Sequence, residues 1–350
     1  MTKSLAVIIS PNYQDYAKMF LADCLQSLEK QTFQDFDIFL IDNETSDESY
    51  SLLQTLAPRA QIIRCADNKG FAGGNNLALK EILKADYQFV FLVNMDTVID
   101  PDCLHLLLKA ADLNTQAGAL QARLMLHPQT ELVNSLGNET HFLGFGYAKG
   151  YLEKYTGLEN NTSQIAYPSG AAVLLRTDVL QKVGLFDEEM WMYNEDQDLG
   201  WRIWLAGYRC LVALDAIVYH KYEFNRSIQK YYWMDRNRII TIIKNYHWLT
   251  LLLILPAFMV MEIGLTVFSL ESGWFKDKLK VWKYFLSKQN WKLLLQKRRQ
   301  IQSSRIISER KIAFLVTGKI WYQEIGSWKL RVANPFFQLY WWFVKKVIIW

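Results

Sequence analysis

Cysteine is scarce in this chain: four in 350 residues, at positions 24, 65, 103 and 210, with no CxxC pair. That spacing excludes a disulfide framework and a clustered zinc site, and it predicts buried free thiols in a reducing compartment. A signal-peptide layout is missing too, because Met1-Thr2-Lys3-Ser4 runs straight into an apolar segment. The chain is therefore expected to begin in the cytosol. Nor is there a large net charge or a polar bias: 39 Lys+Arg against 35 Asp+Glu leave +4, with 51% hydrophobic and 21% charged residues. Disorder and a collagen-like chain are excluded.

The charges that are present are unevenly placed. Residues 221–350 hold 23 basic and 7 acidic side chains, a net of +16, and ten of the thirteen Trp; residues 1–220 carry −12. The length suits one large domain with an appendage, or two domains. An acidic front and a basic, Trp-rich back imply two jobs, with nucleic acid or an anionic membrane as partner of the back half.

In the front half, short apolar runs alternate with helical spacing. Leu5–Ser10, Phe36–Ile41, Gln61–Cys65 and Tyr87–Val93 read as strands; Phe20–Leu28, Asp47–Leu56 and Asn75–Leu83 read as helices. This alternation predicts a doubly wound α/β sheet. Polar clusters follow the strand ends, where ligands sit in open α/β sheets. They are Pro11-Asn12, Asp42-Asn43, Asp67-Asn68 and Asn94-Met95-Asp96.

Each cluster has a functional and a structural reading. Ser46 and Asp47 read as a helix cap, whereas Asp42 reads as a carboxylate for ribose hydroxyls or a base N–H. The segment Asn68-Lys69-Gly70-Phe71-Ala72-Gly73-Gly74 opens a helix whose N-terminus favours anions, yet it matches neither a Walker A loop nor GxGxxG. Asn94 and Asp96, two residues apart, are either a turn or two oxygen ligands for one Mg²⁺ or Mn²⁺ bridging to a diphosphate. Asp187, Glu195, Asp196 and Asp198 crowd one region, with Glu195 and Asp196 at a helix start, where acidic residues are also favoured for structural reasons. Like charges there raise a carboxylate's pKa toward general-base range. His220 closes the apolar run Ile217–Tyr219 and is either structural or a metal ligand.

Taken together these clusters, with Gly170-Ala171-Ala172, Gly184–Glu188, Glu195–Leu199 and Trp201-Arg202, resemble the family 2 glycosyltransferases of GT-A fold, over residues 4–225. They are most similar to the rhamnosyltransferase-like branch acting on bacterial surface polysaccharides. The resemblance implies an inverting glycosyltransferase with a nucleotide-sugar donor and a lipid-linked saccharide acceptor. Pro11, Asn12 and Asp42 would line the nucleotide pocket, with Asp67 and Asn68 nearby. Asp96 would hold the divalent cation, with His220 a candidate second ligand. Asn94 stands where the family has a first Asp, so the site loses a charge. Asp196 would be the general base, and Glu195, Trp201 and Arg202 would shape the acceptor and diphosphate side.

The expected domains are 1–225, the catalytic one, and 226–350, a helical membrane-associating region. In the latter, residues 249–270 form an apolar stretch long enough to cross a bilayer, interrupted by Pro256 and Glu262. A mid-membrane charge costs about 3 kcal/mol, and Lys/Arg lie on both flanks. A re-entrant hairpin bent near Pro256, or interfacial helices, is therefore expected over a single crossing. Trp274, Trp282, Trp291, Trp341, Trp342 and Trp350 interleave with Lys, as in segments at the headgroup level. No nucleic-acid-binding motif is present, so the anionic, cytoplasmic membrane face is the expected partner. Two other readings are a non-catalytic, membrane-bound saccharide-binding protein and a sugar-phosphate nucleotidylyltransferase. The latter predicts a Gly-rich phosphate loop where Ser10-Pro11-Asn12-Tyr13 stands.

Overall fold

The computed structural model describes residues 3–157, 161–221, 229–320 and 328–350. The chain divides into two compact units. Met1–Asn138, Ala148–Ile203 and Tyr208–Glu223 form the first; Glu139–Tyr147, Trp204–Gly207 and Phe224–Trp350 form the second. The boundary expected between 225 and 226 lies outside the described residues.

In chain order the elements begin β1 (Lys3–Asn12), α1 (Tyr16–Glu29), β2 (Phe36–Asn43), α2 (Asp47–Leu56), β3 (Gln61–Cys65), α3 (Gly70–Ile82) and β4 (Tyr87–Val93). They continue with β5 (Thr97–Ile99), α4 (Cys103–Leu113), β6 (Ala117–Leu126), β7 (Val133–Ser135), β8 (Asn138–His141), β9 (Gly146–Ala148), β10 (Thr162–Gln164) and β11 (Ala172–Arg176). Then come α5 (Thr177–Val183), α6 (Glu195–Leu205) and β12 (Arg209–His220). The main sheet runs β10-β12-β6-β11-β4-β1-β2-β3, with β5 on β12 and β7 on β6. β1, β2, β3 and β4 are parallel, whereas β11 is antiparallel to both β4 and β6. The sheet is mixed.

β1 and β4 lie deep in the sheet. Leu5 through Ile9 and Val90 through Val93 are almost wholly buried on both faces, which is why they read as unbroken apolar runs rather than alternations. The four cysteines are free and buried, as their spacing predicts. Helix α3 starts at Gly70, five residues earlier than its apolar pattern suggests, because the glycines and asparagines of its first turns are themselves buried.

The second unit is mostly helical: α7 (Gln229–Asn245), α8 (Trp248–Glu271), α9 (Phe275–Leu286), α10 (Lys288–Ser303), α11 (Glu309–Ile312) and α12 (Trp328–Val347). A two-residue strand, β13 (Val316–Thr317), pairs with β8. The re-entrant hairpin is not formed. α8 is one unbroken helix through Pro256, whose ring lies on the exposed side. Among the described residues α8 alone is long and apolar enough to cross a membrane.

Glu262 explains how α8 carries a charge. It meets Arg238 of α7, and its Oε2 accepts from Lys278 of α9 at 2.7 Å. Asp235 completes a quartet, at 2.7 Å from Arg238 and 2.8 Å from Lys278. Two cations and two anions cancel within a nearly dry space, with Lys278 fully buried. The aromatic stretch is divided in the same way. Trp274 stacks on Tyr231 at 5.2 Å, and Trp341 stacks on Phe142 at 5.2 Å while donating to the Val316 carbonyl. These two tryptophans are core residues, which corrects the expectation that all six lie at an interface. Trp282 and Trp342 are exposed.

Breaking the quartet should be costly, because it strands a buried charge. Lys278→Met is expected to lower the unfolding free energy by about 3–5 kcal/mol. The double variant with Glu262→Leu should lose less than the sum of the two single losses. Chemical denaturation of the full chain checks both.

Candidate active site

At the end of β1 the sequence-predicted residues are built into the scaffold. Asn12 is fully buried; its Oδ1 accepts from the Ala17 N–H at 3.0 Å and its Nδ2 donates to Ser49 Oγ at 3.3 Å. It therefore fixes the first turn of α1 against α2. Pro11 packs on α3 so closely that a Cβ at Gly74 would lie 2.5 Å from its ring. Ser46 caps α2 by accepting from the Ser49 N–H, as read from the sequence.

Asp42, at the end of β2, is different. It is fully buried and accepts from the Thr45 hydroxyl, while its Oδ2 lies 3.2 Å from Arg64 Nε and receives no aligned hydrogen bond. A buried carboxylate oxygen in that state favours a hydroxyl or N–H donor from a ligand. Asp67 is exposed and pairs with Lys69 at 2.7 Å. Asn68 is a brace, accepting from Asn43 Nδ2 and from the Gly70 N–H, each at 2.9 Å.

The glycine-rich turn does not present an open anion site. Its first N–H groups already have partners, Gly70 with Asn68 and Ala72 with the Trp191 carbonyl at 3.0 Å. Gly70 has φ +66°, and a Cβ there would sit 2.5 Å from that same carbonyl. Here glycine is required for close approach rather than for phosphate binding. The segment it receives is itself unusual, since Trp191, Tyr193 and Asn194 all have positive φ. Only asparagine among these adopts that conformation with any frequency, so the sequence carried little sign of it.

At the end of β4, Asp96 is nearly buried. Its Oδ2 accepts from the Tyr16 hydroxyl at 2.7 Å, and its Oδ1 lies 3.3 Å from His220 Nε2 without hydrogen-bond alignment. Burial pushes the Asp96 carboxyl up, but the His220 ring and the Tyr16 hydroxyl outweigh it and hold the group below its ordinary value. His220 Nδ1 faces Asn134 Oδ1 at 3.0 Å. With Nδ1 donating there, Nε2 turns a lone pair toward the carboxylate. Both atoms are then candidate ligands of one cation. Two ligand atoms of one Mg²⁺ lie about 3 Å apart, so the observed spacing fits a cation. Asn94 adds a buried Oδ1 with no hydrogen-bond partner. The donor set suits a hard divalent ion. Among the described residues no three His, Cys, Asp or Glu side chains gather into a cage, so a bound ion would draw its remaining ligands from water or a diphosphate.

The crowd of four carboxylates resolves into two structural groups and one pair. Asp187 caps the one-turn helix Glu188–Met190, and Asp198 binds Arg202 at 2.9 Å. Arg202 also donates to the carbonyls of Val183, Gly184 and Leu185 at 2.7, 3.1 and 2.8 Å. Its guanidinium is committed to holding α6 against the C-terminal end of α5 and the loop after it, so any shaping of the acceptor or diphosphate side by Arg202 is through α6. Trp201 is buried. Glu195 and Asp196 remain at the start of α6, Glu195 buried and Asp196 partly buried. Desolvation pushes Asp196 up to about 6 despite N–H donation from Gly170 at 3.3 Å and Gln197 at 2.7 Å. Desolvation and then the Asp196 charge push Glu195 well up, and its Oε2 has no hydrogen-bond partner. Burial, rather than like charge, is the main cause. The two N–H donors favour ionisation of Asp196, so the pair's negative charge belongs there.

Backbone pairing joins the two ends. The Asn94 N–H donates to the Ala171 carbonyl at 2.9 Å, and the next residue back, Gly170, holds Asp196. Gly170 leaves no room for a side chain, since a Cβ would meet the Phe71 ring at 2.9 Å. Burial raises the pKa of Tyr13 and of Tyr193, with the Asp96 charge adding to the first and the Glu195 and Tyr13 charges to the second. Tyr16 and Tyr193 were missed from the sequence, because a tyrosine beside a carboxylate leaves no spacing pattern.

A sequence model of glycosyl transferase family 2 matches residues 7–184, half the chain. The chain belongs to glycosyl transferase family 2. Among its relatives is the N-acetylglucosaminyl-diphospho-decaprenol L-rhamnosyltransferase of Mycobacterium tuberculosis, 27% identical over 62% of this chain and 74% of that protein. Another is the poly-beta-1,6-N-acetyl-D-glucosamine synthase of Staphylococcus aureus, 22% identical over 54% of this chain and 43% of that one. Among solved structures, residues 1–349 of S. aureus TarS with UDP align over 98% of this chain and 90% of that one, at TM-score 0.52 and 19% identity. GalNAc-T7 with UDP, GalNAc and Mn²⁺ aligns over 69% of this chain and 48% of that one, at TM-score 0.56 and 11% identity. With the mixed sheet described above, these likenesses give this glycosyltransferase the GT-A fold.

Burying two carboxylates leaves a mark on stability. Because their folded pKa values lie above the unfolded ones, the folded state binds protons more readily. Stability should therefore fall as pH rises through the interval from about 4 to about 6 that brackets Asp196. In Asp196→Asn this fall should be smaller, which thermal melts across pH 4–8 would reveal; an unchanged slope would contradict the assignment.

Proposed function

We propose that this chain is an inverting glycosyltransferase. It moves a sugar, with rhamnose the best single choice, from a nucleoside diphosphate to a hydroxyl of a lipid-linked saccharide during cell-surface polysaccharide synthesis. The observation that carries the reading is Asp196. It is a partly buried carboxylate whose desolvation raises its pKa to about 6, held by the Gly170 N–H one residue from the backbone bond to Asn94. Such a group is ionised at neutral pH yet basic enough to accept a proton.

In this mechanism the acceptor oxygen attacks the anomeric carbon from the face opposite the departing diphosphate, and its proton passes to Asp196. The carbon–oxygen bond to the diphosphate breaks in the same displacement, so no nucleophilic side chain is needed and the configuration inverts. Glu195 keeps its proton and walls off water. Asp42 receives a hydroxyl or N–H of the nucleoside, within a pocket shaped by Pro11 and Asn12, with Asp67 and Asn68 at its rim. Asp96, with His220 and Asn94, would hold the divalent cation. When bound, Mg²⁺ or Mn²⁺ supplies charge neutralisation at the leaving diphosphate. Arg202 and Trp201 act indirectly, by fixing α6.

The activities named for the relatives support the finer choices. An L-rhamnosyltransferase whose name carries a diphospho-decaprenol acceptor favours rhamnose and a lipid-linked acceptor. TarS complexes with UDP and UDP-GlcNAc favour a nucleotide-sugar donor. A lipid-linked acceptor in turn places the enzyme at the cytoplasmic face of the membrane, where the basic second unit meets anionic lipid. No nucleic acid is required.

Two experiments test this. Asp196→Asn should lower turnover by at least a thousandfold while donor binding, read by calorimetry with Mn²⁺ and a panel of sugar nucleotides, stays within threefold. Retained turnover would sink the base assignment. In the wild type, kcat/KM should fall tenfold per pH unit below about 6, as Asp196 takes up a proton.

A further inference from the structure

Two helices of the second unit leave apolar stripes uncovered. On α8, Leu252, Met259 and Ile263 are each more than half exposed; on α12, Leu339, Trp342 and Phe343 are likewise. The helices pack through other groups, with the Tyr340 hydroxyl on the Leu253 carbonyl at 2.6 Å and Trp350 Nε1 on Thr250 Oγ1 at 3.2 Å. Beside the last turn of α12 lies a cleft of about 340 Å³ lined by Arg310, Ala313, Phe314, Trp342, Lys345 and Lys346.

Three cations converge on this cleft. None of Arg310, Lys345 and Lys346 has an acidic partner among the described residues. From Arg310 to the chain end the sequence has one acidic residue, Glu324, against seven basic ones. Lys346 Nζ stands 3.6 Å over the Trp342 ring, and burial holds the Lys345 ammonium below its ordinary value. Lysines in a last helical turn commonly answer the helix dipole. That accounts for neither Arg310, which comes from another element, nor the aromatic wall.

We propose that the cleft binds the phosphate of an anionic glycerophospholipid headgroup, with the α8 and α12 stripes lying in one leaflet and Trp342 at headgroup depth. Charge complementarity decides the occupant: a bilayer offers hydrocarbon to the stripes and phosphate to the cations at their edge, and aromatic rings settle at that boundary. The proposal rests on the membrane location given under Proposed function, and deepens it.

Vesicle flotation of the full chain tests it, using phosphatidylcholine vesicles with and without phosphatidylglycerol. Wild type should float with both and bind the anionic vesicles more tightly. Arg310→Gln/Lys345→Gln/Lys346→Gln should weaken anionic binding by ten- to a hundredfold and abolish the preference. Donor hydrolysis without lipid should be unchanged, which shows the variant is folded. Leu339→Glu/Phe343→Glu should lose binding to both vesicles. Brominated lipid should quench a fluorescence component that Trp342→Phe removes. An intact anionic preference in the triple variant overturns the headgroup site while leaving the membrane reading standing. Failure of wild type to bind any vesicle overturns both. Inorganic phosphate displacing the protein from vesicles at equal phosphate concentration would show a free-phosphate site instead. A lipid-free dimer that Phe343→Glu dissociates would assign the stripes to a second copy of the chain.

Discussion

Strand β11 runs antiparallel between β4 and β6, and the chemistry of the first unit hangs on that pairing. Its register sets Ala172 opposite Val93, so that the residues just before β11 arrive where β4 ends. Asn94 bonds Ala171 there, and Gly170 presents its N–H to Asp196. A parallel strand in this place would deliver its amino end to the opposite edge of the sheet. The carboxylate of α6 would then lack both its donor and its neighbour at the end of β4. Glycine at 170 follows from the same geometry, because the Phe71 ring occupies the space a Cβ would need.

Buried carboxylates recur through both units, and their partners divide them by role. Asp198 is sealed by Arg202, and Asp235 and Glu262 by Arg238 and Lys278. Each of those charges is neutralised within hydrogen-bond distance, and each holds helices together. Among the described residues Asp196 and Glu195 receive no cation. Asp196 has only backbone N–H donors, so the desolvation of the pair raises both pKa values. Acidic residues close in sequence thus do opposite things: Asp198 cements α6, while Asp196 two residues earlier stays available.

Much of the first unit was legible because its strands are buried on both faces and its helices are amphipathic, so that β3, β4 and α2 were read to the residue. The strand-end clusters were legible as a set for the same reason. Side-chain commitments were not. Nothing in the order of letters says that Asn12 spends its amide on α1 and α2, that Arg202 binds three carbonyls, or that the glycines at 70 and 74 make room for Trp191 and Pro11. Those outcomes depend mostly on partners distant in sequence, and an Asn or Arg near a ligand-bearing edge looks the same whether it faces inward or outward. The positive φ run at Trp191–Asn194 is invisible for a related reason. It runs against local preference, and its first residue, Trp191, packs closely on Gly70.

The second unit inverts the usual relation between burial and polarity. The inward face of α8 carries Thr250, Glu262 and Ser269 together with Ile254, Ala257 and Met261, while its outward face carries Leu252, Met259 and Ile263. A helix of a water-facing domain is arranged the other way round. The apolar run that suggests a span is therefore not being used to fill the protein core, and Pro256 on the outward side interrupts no inward contact. Its one acidic residue in mid-run, the feature that argues against a crossing, points inward to Arg238 and Lys278 and so places no charge on the apolar surface. The objection drawn from Glu262 thus disappears in the fold, whereas the objection drawn from basic residues on both flanks does not. A helix whose outward face is hydrocarbon-compatible along its length, and whose inward face is fixed to α7, α9 and α12, meets the requirements for lying along one leaflet without having to cross it.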